Sequence, residues 1–215
     1  MSVVGIVAAG GTGERLGAEG PKTFVVLTGR TLLDWSIDAL SPACERVIAA
    51  VPPGHEEIPD RVAGGPSRSE SVRNALDAAP EATTVVVHDA ARPLAGTDLV
   101  RRCIDALEDG VDGAIAAARM TDTVKEAGEG GRVLRTVDRS VLWTIQTPQA
   151  FRADILRRAL AVDDATLATA TDDASLVEAA GGTIVVVEAP KENLKITTEA
   201  DLLLAETLLR AKGCP

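Results

Sequence analysis

Short unbroken apolar runs alternate along this chain with longer stretches in which apolar residues recur every three or four positions. Residues 3–9, 47–51, 84–88, 114–118 and 183–187 are rich in β-branched residues and uninterrupted, the pattern of strands covered on both faces. Helical periodicity fills intervals at 32–40, 69–79, 98–108, 155–160, 174–180 and 199–211. Within 98–108, Leu99, Val100, Cys103, Ile104 and Leu107 form one apolar stripe, with Thr97 or Asp98 as its cap. Asp172 or Asp173 caps the helix carrying Leu176 and Val177. Strand and helix in alternation predict an α/β fold, a three-layer sandwich around a mostly parallel, Rossmann-like sheet. Ligands of such sheets gather at the carboxyl ends of the strands. Residues 1–215 read as a single domain, without repeats or low-complexity tracts.

One segment leaves this rhythm. "TDTVKEAGEGGRVLRTVDRS", residues 121–140, reads as a protruding β-hairpin arm turning at Gly128, Gly130 and Gly131. It offers few large apolar side chains, and a two-stranded ribbon is marginal alone. It is either a loose surface hairpin or an arm that packs on another subunit.

The first strand runs into "VAAGGTGERLGAEGPKT", residues 7–23. Glycines there bring backbone N–H groups close to a phosphate, and cations neutralise it. The familiar phosphate loops do not match. In a G-x-G-x-x-G fingerprint begun at Gly11 and Gly13 the third glycine falls on Leu16, and a P-loop has glycine where Pro21 precedes Lys22 and Thr23. The loop therefore handles phosphate in another way, with Arg15 and Lys22 inside it.

Charge sharpens this picture. The net charge of −10, with no basic stripe to offset it, excludes nucleic acid as the main partner. A small anionic substrate fits where cations are concentrated locally. Apolar residues make up 46% of the 215 residues but aromatics only 2%, so the core is aliphatic. Cys44, Cys103 and Cys214 are odd in number and scattered, which suits a reducing, cytoplasmic setting and neither a disulfide framework nor a zinc site. No signal peptide or membrane-spanning run is evident.

Two further segments place charge at strand ends. "VVVHDAARP" sets His88, Asp89 and Arg92 after a buried strand, and "ENLKIT" presents Lys195 between apolar neighbours. Taken singly, Asp89 either holds a divalent cation or caps a helix, and Lys195 either meets a ligand or snorkels. His88 reads as a satisfied buried histidine. Taken together, Arg15, Lys22, Asp89, Arg92 and Lys195 all collect on one edge of the sheet. Four cations around one carboxylate suit magnesium and several phosphates, the needs of phosphoryl or nucleotidyl transfer.

These residues carry a family resemblance. The run Ala8-Ala9-Gly10-Gly11-Thr12-Gly13-Glu14-Arg15-Leu16-Gly17, followed by Pro21-Lys22, resembles the signature loop of sugar nucleotidyltransferases. The ordered set "GGPSRSESV", "VHDAARP", "TDT", "TVDR", "TPQAF", "TDDASL" and "NLKIT" is similar to the 2-C-methyl-D-erythritol 4-phosphate cytidylyltransferase family over nearly the whole chain. The resemblance implies CMP transfer from CTP to that sugar phosphate, with Mg²⁺ as cofactor. It implies Arg15, Lys22 and Lys195 on the reacting phosphates and Asp89 on the metal. Ala8, Ala9, Gly65 and Ser71 match positions that bracket the cytosine, and Gly10, Gly11 and Gly13 belong to the nucleotide loop. Arg92 and Thr147 match contacts to the sugar phosphate, as do Thr123 and Arg139, delivered by the partner's arm in a homodimer. Pro66 departs from the family, removing a backbone N–H beside the base. A cytidylyltransferase for another polyol phosphate, such as ribitol 5-phosphate, and a non-catalytic nucleotide-binding domain are the alternative readings.

Overall fold

The computed structural model describes residues 2–10 and 20–211. Its centre is a seven-stranded sheet in the order β11-β7-β10-β6-β1-β4-β5. The strands are β1 (Val3–Ala8), β4 (Arg46–Val51), β5 (Arg61–Ala63), β6 (Thr84–Asp89), β7 (Gly113–Arg119), β10 (Trp143–Arg152) and β11 (Ile184–Glu188). All pairings are parallel except those of β10, which runs antiparallel between β6 and β7. A short hairpin of β2 (Val26–Leu27) and β3 (Arg30–Thr31) precedes the first helix.

Helices cover both faces, as the alternating pattern requires. On one face α2 (Arg68–Asp77), α4 (Ala153–Leu160), α5 (Asp164–Thr169) and α6 (Asp173–Ala179) bury Val72, Leu76, Leu156, Leu167 and Val177 against Ile6, Ile48 and Val85. On the other, α1 (Leu32–Leu40) and α3 (Thr97–Asp105) bury Leu33, Leu40, Leu99, Val100 and Cys103 against Val7, Ala49 and Val86. The last helix, α7 (Glu199–Ala211), closes a smaller cluster through Ala205 and Leu209 with Leu27, Leu32 and Ile196. No described helix is long and apolar enough to cross a membrane.

The strands and helices expected from periodicity are present, but β10 is not among them. Its sequence, WTIQTPQAFR, has neither an apolar run nor clean alternation. Gln146, Thr147 and Gln149 are nevertheless buried, and partners from other elements compensate most of that burial, though Gln149 Oε1 has no hydrogen-bond partner. Gln149 Nε2 donates to Asp172 Oδ2 at 2.9 Å, and Asn193 Nδ2 donates to Gln146 Oε1 at 2.8 Å. Pro148 would remove a ladder bond in a regular central strand. It stands where the register to β7 shifts, between Ile145 and Gln149, and its peptide bond to Thr147 is cis. Hydropathy cannot anticipate polar side chains whose burial is compensated from afar.

The caps resolve differently. Neither Thr97 nor Asp98 caps α3. Its N-cap is Gly96, which has no side chain to offer, and the Thr97 hydroxyl instead donates to the Ala39 carbonyl of α1 at 3.0 Å. Asp172 does cap α6, accepting the Ser175 N–H, so Asp173 is left for another use.

The arm exists as β8 (Val124–Ala127) paired antiparallel with β9 (Val133–Val137), a sheet of its own. Gly130 and Gly131 turn it at φ 66° and 76°, a left-handed conformation that favours glycine. Val133 and Leu134 project outward, 56% and 60% exposed.

Candidate active site

The register between β1 and β6 sets the site. Ala8, the last residue of β1, lies opposite Asp89, the last of β6, so both strands open onto the same edge. Beyond β1 and β4 a cleft of about 400 Å³ is lined by Gly10, Gly20, Pro21, Pro52, Pro53, Gly64 and Gly65. Glycine is required at Gly65, where an added Cβ would stand 2.5 Å from that of Glu70. Gly65 N–H donates to the Ser71 hydroxyl at 3.0 Å, and Ser71 in turn donates to the Ser67 carbonyl at 2.9 Å. Ser71 and Ala9 are buried here, and Ala9 N–H is taken by Ala50 O. Gly64 N–H is spent on Val51 O at 2.7 Å.

Beside the cleft stands Asp89. Its carboxylate caps no helix. Oδ1 accepts Arg68 Nε at 2.8 Å, and Oδ2 accepts Lys195 Nζ at 2.7 Å. Burial raises the cost of charging Asp89, but the two cations outweigh it and hold the carboxyl well below the usual range. Arg68 is the first residue of α2, where a cation opposes the helix dipole. It is stabilised there by a second carboxylate, donating through Nη1 to Asp173 Oδ2 at 2.6 Å. Burial likewise disfavours its charge, and Asp173 and Asp89 more than restore it. Burial pushes the Asp173 carboxyl up, and Arg68 pulls it back only in part.

Lys195 is held in place through its backbone. Ile196 N–H donates to Ala91 O at 2.8 Å, and Arg92 Nη1 donates to Asn193 O at 2.8 Å. The fully buried Asn193 adds a bond to the Thr147 carbonyl at 2.9 Å. The 193–196 strap is thus laced to the loop after β6, and Lys195 is directed at Asp89. Arg92 is consequently engaged with backbone carbonyls, and burial lowers its pKa.

His88 is the satisfied buried histidine that its strand suggested. Its Nε2 lies 3.1 Å from the Arg92 carbonyl, which can only accept, so that nitrogen carries the proton. Nδ1 then accepts the Thr147 hydroxyl proton at 3.0 Å, while the same hydroxyl accepts Asp89 N–H at 3.0 Å. Thr147 therefore sits behind Asp89 with its donor committed to His88. Burial lowers the His88 pKa to about 4, with Asp89 and the Arg92 carbonyl pulling the other way. An unfolded histidine titrates near ~6.5. Between these values the unfolded chain binds a proton that the folded one refuses, so stability falls as pH drops through this window. The loss reaches roughly 3 kcal/mol at its foot. Asp89 acts separately, its contribution disappearing only below the ordinary carboxylate range. Urea melts between pH 6.5 and 4 are therefore expected to show a steeper loss for the wild type than for His88→Gln.

The remaining candidates divide into three groups. Lys22 opens a 3-10 turn, Lys22–Phe24, immediately after Pro21 of the cleft wall. Gly11, Gly13 and Arg15 lie outside the described residues. Thr123 and Arg139 are exposed and belong to the arm, where the Arg139 guanidinium bonds the Thr121 carbonyl. Arg68 was not among the expected site residues, and Asp173 was expected only as a helix cap, although both stand in the motifs that carry the resemblance. An arginine at a helix N-terminus was the available signal, since it needs a compensating anion.

Among the described residues no cluster of three or more His, Cys, Asp or Glu could hold a metal ion. Asp89 is a buried carboxylate at the carboxyl end of β6. One carboxylate fits magnesium in the way that ion commonly binds, with substrate phosphates and water completing its shell. The Lys195 ammonium on Oδ2 shows that a cation is accommodated there.

A doubly wound sheet with a glycine-lined cleft, opening beside a carboxylate held by two cations, suits the phosphate chemistry of a nucleotidyltransferase. The comparisons narrow this. The family profile described as IspD, 2-C-methyl-D-erythritol 4-phosphate cytidylyltransferase, matches residues 3–211. The chain belongs to that family, and it is a cytidylyltransferase. A 2-C-methyl-D-erythritol 4-phosphate cytidylyltransferase of Rubrobacter xylanophilus is 42% identical over 97% of this chain and 95% of its own length. A bifunctional enzyme IspD/IspF of Anaeromyxobacter dehalogenans is 43% identical, and the chain spans 57% of that longer protein. The crystal structure of the Thermus thermophilus cytidylyltransferase superposes with a TM-score of 0.83 at 36% identity, covering 98% of this chain and 100% of that one.

Proposed function

We propose that the chain, acting as one nucleotidyltransferase domain, transfers CMP from CTP to 2-C-methyl-D-erythritol 4-phosphate in isoprenoid precursor synthesis. The carrying observation is the buried Asp89, clamped by two cations at the strand edge beside the glycine-lined cleft. In this reading the base enters the cleft. The N–H groups of Gly64 and Gly65 are already spent, and Pro21, Pro52 and Pro53 of the lining have none. The wall therefore presents mainly carbonyl acceptors, which suit the exocyclic amino group of cytosine. Ala8, Ala9, Gly10 and Ser71 complete the enclosure, and the phosphates run from there towards Asp89.

A phosphate oxygen of the sugar phosphate attacks the α-phosphorus in line. A new P–O bond forms, the bond to the β-phosphate breaks, and pyrophosphate leaves with the electron pair. The products are 4-diphosphocytidyl-2-C-methyl-D-erythritol and pyrophosphate. No general base is needed, because the attacking phosphate is already ionised near neutral pH. Magnesium, when bound by Asp89, supplies charge neutralisation to the phosphates. Arg15, Lys22 and Lys195 neutralise the reacting phosphates, and Arg92 meets the sugar phosphate from the loop after β6, while Thr147 of β10, its hydroxyl donor committed to His88, acts only by holding the Asp89 backbone. Thr123 and Arg139 come from the arm of a second subunit in a homodimer, which the exposed Val133 and Leu134 support. We place the enzyme in the cytoplasm, where CTP is available.

The deciding measurement is pyrophosphate release from CTP with two acceptors in parallel. Methylerythritol 4-phosphate is expected to support turnover at least 10²-fold more efficiently than ribitol 5-phosphate, a gap within reach of buried polar discrimination. Equal efficiencies, or preference for ribitol 5-phosphate, would overturn the substrate assignment.

A further inference from the structure

The two oxygens of Asp89 are held in unlike ways. Arg68, on Oδ1, is locked at its far side by Asp173, whose side chain is fully buried. A planar guanidinium bridging two buried carboxylates has no equivalent place to go, because leaving either one strands a buried charge. Lys195, on Oδ2, is different. Its side chain is 43% exposed, on a flexible stem, so water can solvate the ammonium when it lets go. Its backbone is pinned by Ile196 N–H to Ala91 O and by the Asn193 carbonyl, which accepts from Arg92; these bonds confine movement to the side chain.

We propose that Lys195 is a stand-in for the divalent cation, holding Oδ2 of Asp89 until metal and nucleotide arrive and then passing to the phosphates, while Arg68, backed by Asp173, is the positioning residue that keeps the carboxylate aimed. This rests on the assignment of Asp89 as the metal ligand. The physical reason for such an exchange is compensation. A carboxylate this buried requires a partner in the resting enzyme, and a protein cation provides one without a bound ion. The metal must then displace an ammonium, which is favourable only when phosphate oxygens are present to receive it. Nucleotide and metal thereby bind together, and neither ion nor lysine leaves a charge unpaired.

Mn²⁺ is the probe, followed by electron paramagnetic resonance and by water-proton relaxation, which separates protein-bound ion from Mn²⁺ on free CTP. Wild type, Lys195→Met, Asp89→Asn and Asp173→Asn are titrated with and without CTP; without sugar phosphate there is no turnover. In the absence of CTP, Lys195→Met is expected to bind Mn²⁺ about tenfold more tightly than wild type, because a competing cation and its repulsion are both removed. Asp173→Asn is expected to weaken the Mn²⁺–CTP complex roughly fivefold or more by releasing Arg68. Arg68→Lys replaces it if thermal melts show that Asp173→Asn does not fold. Lys195→Met binding no tighter than wild type overturns the stand-in, and unchanged Mn²⁺–CTP affinity in the Asp173 or Arg68 variant overturns the positioning role. Asp89→Asn reports on the underlying assignment: if it leaves Mn²⁺–CTP binding intact, Asp89 is not the metal ligand, and that reading fails by itself.

Discussion

Lys22→Ala is expected to lower kcat by about 10²-fold or more while changing the affinity for CTP far less. The residue follows Pro21, which lines the cleft and whose φ of −62° presets the chain, and it opens a 3-10 turn anchored by the buried Thr23. Lys22 thus stands on a firm backbone directly after a residue of the cleft wall. Negative charge on the α-phosphate and the leaving pyrophosphate grows between ground state and transition state. A fixed cation opposite that charge contributes more to the second than to the first, and removal of one such contact elsewhere costs roughly 10²–10³ in turnover. Uniform binding would show in KM instead. Steady-state kinetics together with calorimetric titration of CTP separate the two, and an unchanged kcat would remove Lys22 from the catalytic set. The melting temperature should stay near that of wild type, because the truncated side chain is only half-buried and the turn's own backbone bonds persist.

The second large effect concerns Arg139. Arg139→Ala and Lys22→Ala are each expected to be nearly inactive, yet their mixture should recover roughly a quarter of wild-type sites after subunit exchange. The arm forms its own two-stranded sheet and leaves Val133 and Leu134 exposed at 56% and 60%, with Val141 just beyond it exposed at 72%. A ribbon so poorly covered gains by embracing a second copy, as two arms can do about a two-fold axis. If each arm serves the other subunit's site, a heterodimer pairs an intact Lys22 from one chain with an intact Arg139 from its partner. Random exchange makes half the dimers mixed, and one site of two in each is whole. If Arg139 serves its own chain, every site keeps one lesion and mixing restores nothing. Native mass spectrometry of tagged chains establishes the exchange, so absence of recovery then rejects the action in trans.

Much of this site was legible from residue order. The positions of Asp89, Lys195 and the glycines follow from the rule that α/β sheets present loops at their carboxyl ends, and periodicity located the strands that precede them. What residue order concealed was who neutralises whom. Four cations around one carboxylate was the natural reading, but Arg92 turns to the Asn193 carbonyl and Arg68 comes in from α2 to hold Asp89. The resemblance implied Thr147 as a contact to the sugar phosphate, but its hydroxyl is committed to His88 and to the Asp89 backbone.

The division has a physical basis. The sequence by itself determined the parallel strands, the covering helices and the glycine-turned arm, because apolar spacing, turn residues and chain order act over a few residues at a time. Only the tertiary structure decided that β10 enters antiparallel between β6 and β7, and that Arg68 joins Asp89 to an Asp173 lying 105 residues further along. A buried glutamine, threonine or aspartate is tolerated when a partner meets it in space, and that partner leaves no trace in the local pattern of apolar and polar residues.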